Sequence, residues 1–142
     1  MRERHAELAR RDVGYVWGVF RKSDNAVLGW VDIYVFDRGD AQTANFGYLL
    51  HNQHWGKGYG PEAARAMAKV AFTKLKLHWL EAAVKPANRR SLKLARAIGF
   101  RRLGVQKNYE WSGTKWVDKV IFVATPKDFG LPESPPKYLR KW

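Results

Sequence analysis

Phe46-Gly47-Tyr48-Leu49-Leu50, then Gln53-His54-Trp55-Gly56-Lys57-Gly58-Tyr59-Gly60, then Pro61-Glu62-Ala63-Ala64-Arg65-Ala66-Met67: an apolar strand turns through closely spaced glycines into a helix. A helix that opens this way presents unpaired backbone N–H groups, and the positive end of its dipole, to whatever lies in front. Such an end binds phosphate through backbone alone. Glycine lets the chain approach an anion closely, and Pro61 suits the first helical position because it has no N–H to leave unpaired. The spacing Gln53-x-x-Gly56-x-Gly58 is neither a Walker loop, which ends Gly-Lys-Ser/Thr, nor a full G-x-G-x-x-G. Its alternative is a glycine-rich turn without a ligand.

Outward from this turn the chain reads as alternating short elements. Glu3 to Arg11 suits a short charged helix, and Tyr15–Phe20 is rich in β-formers. Turn chemistry at Lys22-Ser23-Asp24-Asn25 joins that strand to a second over Ala26–Phe36, making a hairpin. Ala44–Leu50 is a third strand. The helix from Pro61 to about Leu75 places Ala63, Met67, Val70, Ala71 and Leu75 on one face, which is core packing. Leu80, Ala82 and Val84 alternate along a strand that stops before Pro86. Asn88 caps a helix through Ile98, with Gly99 past its end and Phe100 beyond. Two strands, about Arg102–Trp111 and Lys115–Thr125, close the pattern through Ser112-Gly113-Thr114. The tail 126–142 holds four of the six prolines and is expected to be an irregular arm. The order ββ-β-α-β-α-ββ predicts a single domain over 1–142, α/β or α+β by class. Its sheet is mixed and mostly antiparallel, with one parallel crossover over Tyr48–Val84.

The bulk numbers narrow the function classes. A chain of 142 residues with 46% hydrophobic and 14% aromatic content is globular rather than disordered. No apolar run approaches the roughly 20 residues of a membrane span. With no cysteine there is no disulfide, thiolate metal site or cysteine nucleophile, and the four histidines show no metal-ligand spacing, so no structural metal is expected. These features fit a cytoplasmic protein. The net charge is +13, and Lys85–Lys107 holds eight basic residues and no acidic one. Such a field attracts polyanions: a nucleotide cofactor, ribosomal RNA or an acidic protein face. The alternative is a solvated basic face.

The segment Asn88-Arg89-Arg90-Ser91 followed by an apolar helix and Gly99-Phe100, together with the Gln53–Gly60 loop and the hairpin Tyr109-Glu110-Trp111-Ser112-Gly113, resembles the GNAT acetyltransferase superfamily. Within it, the pattern is most similar to the ribosomal-protein N-terminal acetyltransferases of the Rim type. The resemblance covers roughly residues 14–125. It implies a GNAT-like fold and acetyl-coenzyme A as cosubstrate, with the pyrophosphate on the amides of Gly56, Lys57, Gly58, Tyr59 and Gly60 beside Gln53. Pantetheine would lie between the third strand and strand 80–84. A backbone N–H near Leu49 or Leu50 would polarise the thioester carbonyl. Asn88 would contact the cofactor arm, beside or in place of its capping role.

Acetyl transfer to an amine also needs a proton acceptor and a stabilised leaving thiolate. Many relatives place a tyrosine on the second helix for the thiolate; here that position is Ala95. Ser91 matches the Rim-type serine one turn earlier, its alternative being a first-turn helix residue. Glu110 matches the family's general base, its alternative being an exposed hairpin glutamate. Asp118 reads as structural, closing the hairpin or meeting Arg101 or Arg102. His54 and Trp55 read as packing. Making a neutral amine at pH 7 costs about 1.4 kcal/mol for an α-amino group and about 4.6 kcal/mol for a lysine, which favours a protein N-terminus as acceptor. A small-molecule amine, or a non-catalytic coenzyme A- or RNA-binding module, is the alternative. A homodimer and a ribosome contact are further expectations. The resemblance implies a strand and one or two helices before the first hairpin; only Met1–Asp12 precede it here, so that wall of the acceptor groove is expected to be absent or reduced.

Overall fold

The structure, a computed structural model, describes residues 2–136. Helix α1 (Arg2–Arg10) leads into strands β1 (Gly14–Phe20), β2 (Val27–Asp37) and β3 (Thr43–Leu50). Helix α2 (Tyr59–Thr73), strand β4 (Trp79–Val84), helix α3 (Arg89–Ala97) and strands β5 (Arg101–Trp111) and β6 (Trp116–Ala124) follow. The expected element order therefore stands, and boundaries shift by a residue or two. Two short 3-10 turns are additions, at Asn52–His54 and Pro126–Phe129.

One six-stranded sheet has the order β1-β2-β3-β4-β6-β5. Every neighbouring pair is antiparallel except β3–β4, the crossover around α2. That parallel pair is brief. Thr43–Asn45 pair with Trp79–Glu81, and then the strands part, leaving Phe46–Leu50 and Ala82–Val84 without each other. This fork opens beside the glycine loop.

One sheet face carries α2 and α3 and holds the main core. Val31, Ile33, Ala44, Phe46, Leu80, Ala82, Val120, Phe122 and Ala124 meet Ala64, Ala68, Ala71, Phe72, Ala95 and Ile98 there. The buried stripe of α2 is rotated from the expected one: Ala64, Ala68, Ala71 and Phe72 are buried, while Ala63, Met67, Val70 and Leu75 sit half-buried at its edges. The three alanines allow close helix–sheet approach. Phe72 turns inward because it has an aromatic partner, Phe129, at 5.5 Å between ring centroids.

Phe129 also corrects the expectation for the tail. Thr125 and Asp128 form a reciprocal cap on the turn Pro126–Phe129, and Phe129 is buried against Phe72 and Phe100. Residues 131–136 of the arm follow without regular secondary structure, and residues 137–142 lie outside the described residues.

A second set of contacts fixes the start of the chain. Arg38 donates to both carboxylate oxygens of Asp12 at 2.8 Å, to Gln42 Oε1 at 2.9 Å and to the Leu75 carbonyl at 2.7 Å. One guanidinium thus ties the α1–β1 junction, the β2–β3 loop and the end of α2. Tyr15 donates to Asp12 as well, and burial, reinforced by Asp12, pushes its phenol up to about 12.

Candidate active site

The glycine loop has the backbone that the sequence asks of it. Gly56 (φ 76°) and Gly58 (φ 81°) take the left-handed conformation, and Gly58 is the residue before α2. A Cβ at either would meet nothing within 4 Å, so the conformation rather than crowding demands glycine, and the space in front of the loop is open. His54 N and Trp55 N close the 3-10 turn on His51 and Asn52, and Glu62 N returns to the Gly58 carbonyl. Among the described residues, the amides of Gly56, Lys57, Gly58, Tyr59 and Gly60 donate to no main-chain or side-chain acceptor, which leaves a cluster of donors at the positive end of a 15-residue helix.

These donors border a cavity of about 1060 Å³. Gln53, Trp55, Gly56, Gly58, Tyr59 and Gly60 line it from the loop, Tyr48, Leu49 and Leu50 from β3, and Asn88 and Ser91 from α3. Lys57 stands in the loop but does not line the cavity. Trp55 fixes one wall: its indole N–H donates to the Leu50 carbonyl at 2.8 Å, and the Arg90 guanidinium lies 3.7 Å from its ring centroid. The basic run thus places two cations, Arg90 and Lys93, at the cavity wall. Arg101 and Lys107 are instead paired with Asp128 and Asp118.

The β2–β3 ladder decides which amide of β3 faces the fork. His51 N donates to the Leu28 carbonyl, and antiparallel ladders alternate, so Leu49 N turns toward β2 while Tyr48 N and Leu50 N turn toward the open side. Of the two sequence candidates, Leu50 has the free amide. Gly29, paired with Leu50, admits no side chain: a Cβ there would stand 1.9 Å from the Leu49 carbonyl oxygen.

On α3, Asn88 Oδ1 accepts from Ser91 N at 3.1 Å, the capping bond expected of it. Asn88 therefore both caps the helix and lines the cavity. Ser91 Oγ donates to the Tyr48 hydroxyl at 3.1 Å. Nothing in the local sequence pairs those two residues, which are 43 positions apart.

Glu110 lies elsewhere. It sits opposite Val117 on β5–β6, on the sheet face away from α2 and α3, and pairs with Lys119 Nζ at 3.1 Å. Its carboxylate is half exposed and does not line the cavity. The sequence reading passed over two other carboxylates on that face, Asp32 on β2 and Glu81 on β4. Burial holds both above the usual carboxylate range. Asp32 leans over Gly47, where a Cβ would be 2.4 Å from Oδ1. Trp30, Tyr34 and Leu49 share this face and are exposed. Asp118 is structural: it accepts from Asn108 N and Lys107 Nζ, both at 3.0 Å, where Asn108 (φ 51°) lies in the irregular stretch of the hairpin. Those two bonds hold its carboxyl below the usual range.

His54 is buried behind the loop, and its Nδ1 has no hydrogen-bond partner among the described residues. Burial, then the nearby Arg21 and Lys57, hold its imidazole below the ordinary value. His54 is a packing residue, as expected; Trp55, expected to pack too, is exposed and forms the cavity wall.

Comparison with known proteins shows the family. The family model "Acetyltransferase (GNAT) domain" matches residues 1–101. Probable N-acetyltransferase YjcK of Bacillus subtilis is 37% identical over 126 residues, covering 87% of this chain and 69% of that protein. The [ribosomal protein uS5]-alanine N-acetyltransferase of Escherichia coli is 25% identical over 123 residues, covering 87% of this chain and 63% of that one. The structure of Mycobacterium smegmatis RimJ in complex with CoA-disulfide superposes with a TM-score of 0.81 at 26% identity, covering 98% of this chain and 65% of RimJ. The chain belongs to the GNAT family of acetyl-coenzyme A-dependent acetyltransferases and spans about two thirds of the length of these relatives.

Proposed function

We propose that this protein transfers an acetyl group from acetyl-coenzyme A directly to a primary amine, with the N-terminal amine of a protein as acceptor. The observation that carries the reading is the set of unpaired amides from Gly56 to Gly60 beside a cavity lined by the end of β3 and the start of α3. Gly56, Gly58, Tyr59 and Gly60 fit a diphosphate: they offer donors, positive potential and space no side chain fills. Asn88 and the Arg90–Trp55 pair flank the same cavity and would hold the remainder of the nucleotide arm. Acetyl-coenzyme A supplies the activated acyl group. Leu50 N, on the open side of β3, would donate to an acyl oxygen there. Ser91 would donate to a leaving sulfur.

The far sheet face is where an acceptor would approach the fork. Its carboxylates, Asp32, Glu81 and Glu110, suit an incoming ammonium, and Glu110 would be the proton acceptor. Sequence similarity to a ribosomal-protein alanine N-acetyltransferase supports a protein N-terminus. The low cost of neutralising an α-amine supports it too. The lack of cysteine and of any helix among the described residues long and apolar enough to cross a membrane fits a cytoplasmic setting.

The test has two stages. Acetyl-coenzyme A raises the melting temperature, and an acceptor panel of N-terminal peptides, polyamines and aminoglycosides is then followed by thiol release. Turnover restricted to free N-terminal peptides supports the acceptor assignment, and turnover restricted to polyamines overturns it. Cofactor binding without turnover on any amine overturns the enzymatic reading.

A further inference from the structure

Tyr48 plays no part in the chemistry so far, yet its surroundings are specific. Its side chain rises from β3, two positions before Leu50, and reaches the first turn of α3. There the phenol O–H donates to the Ser91 carbonyl at 3.0 Å, and the phenol oxygen accepts from Ser91 Oγ at 3.1 Å. Both residues line the cavity beneath the glycine loop. Asn88 holds Ser91 from the other side through its main-chain N–H, so the serine stands in a fixed frame. Burial raises the phenol above its ordinary value, with Ser91 opposing, and this keeps it in the protonated form that donates.

A hydroxyl carries one proton and two lone pairs, and its hydrogen turns to suit its neighbours. An anion arriving beside Ser91 would draw the Ser91 O–H toward itself. The Tyr48 O–H would then turn from the Ser91 carbonyl to Ser91 Oγ, which is already 3.1 Å away. No heavy atom has to move. A phenol donating to the serine makes the serine the stronger donor, because hydrogen bonds in a chain polarise one another. A serine with an apolar neighbour in place of Tyr48 lacks that support.

We propose that Tyr48 and Ser91 form a hydroxyl pair that stabilises the sulfur anion departing in acetyl transfer, with Ser91 meeting the sulfur and Tyr48 acting as the positioning residue behind it. This rests on the acetyltransferase reading. In that step the amine nitrogen bonds to the acetyl carbon and the carbon–sulfur bond breaks with both electrons going to sulfur. The amine's proton leaves through the carboxylate base to water. Sulfur is reprotonated by water on release, so neither hydroxyl is consumed.

The experiment compares wild type, Tyr48→Phe, Ser91→Ala and the double variant, using the best amine from the acceptor panel. Tyr48→Phe is expected to lower kcat about tenfold while KM for acetyl-coenzyme A stays within about twofold, the loss of one hydrogen bond supporting a developing charge. The double variant is expected to be no slower than Ser91→Ala, because the two act as a unit. An acetyl selenoester analogue of the cofactor, whose selenolate needs less stabilisation, is expected to shrink the Tyr48→Phe defect. Loss of a merely structural bond would not respond to the leaving group. Tyr48→Phe turning over at the wild-type rate, losses that multiply in the double variant, or a defect identical with the selenoester would each overturn the pair while leaving the acetyltransferase reading intact. A wild type inactive on every amine overturns that reading, and the pair with it.

Discussion

Replacing Gly58 tests the anion site, because two variants separate its backbone role from its electrostatic one. Gly58 sits at φ 81° with open space where a Cβ would go. Gly58→Ala therefore incurs only the left-handed strain, about 1 kcal/mol, or roughly 4 °C in melting temperature for a chain of this length. Gly58→Glu incurs the same strain and adds a carboxylate in front of the free amides of Gly56–Gly60. At ~5 Å and an effective dielectric of ~20, each pair of like unit charges repels by about 3 kcal/mol. The loop is exposed, so halving that value allows for solvent. Two phosphate charges then weaken binding by about 10²-fold. The added carboxylate also competes for the same N–H groups. Calorimetric titration with acetyl-coenzyme A reads the difference directly: Gly58→Ala is expected within about tenfold of wild type, and Gly58→Glu about 10²-fold weaker than Gly58→Ala at equal melting temperature. Equal affinities for the two variants would refute a diphosphate on these amides.

Other consequences follow from the same geometry. Glu110→Gln is expected to preserve acetyl-coenzyme A affinity and reduce kcat by about 10²-fold; unchanged turnover would move the base to another carboxylate of that face, with Asp32 the first to replace. Gly29→Ala would drive a methyl group into the Leu49 carbonyl and cost about 2–3 kcal/mol by forcing the end of β3 away from β2, measured as a lower denaturation midpoint at unchanged slope. Burial lowers the His54 pKa in the folded protein, so between the folded and unfolded values the unfolded chain binds more protons. Stability is then fully present above the unfolded value of ~6.5 and declines as pH falls below it. His54→Gln should reduce the gap in melting temperature between pH 7.5 and 5.5, and an undiminished gap would assign the acid sensitivity to other groups.

Much of the site was legible because its parts are local. The glycine turn announces itself through residues that alone tolerate its dihedral angles. Asn88 announces a helix start because its side chain reaches an amide three residues on. Gly99 at φ 103° ends α3 as read. The reading went astray where distant parts decide. The face of α2 turned toward Phe72 because Phe129, 57 residues later, waits there. The tail looked irregular because four of the six prolines fall in it, yet Phe129 joins the core.

Local chemistry in the chain determined a glycine turn with unpaired amides at the start of α2, a capped α3 carrying Ser91, and the sequence of strands and helices, since each depends on sterics and hydrogen bonds spanning only a few residues. Only the tertiary structure decided that β6 inserts between β4 and β5, that β3 and β4 fork after Asn45, that Glu110 stands on the face away from the cavity, and that the Tyr48 hydroxyl meets Ser91. Those outcomes depend on strand register and on how helices seat on the sheet. Such terms arise between segments far apart in the chain, where periodicity and turn chemistry carry no information about the partner.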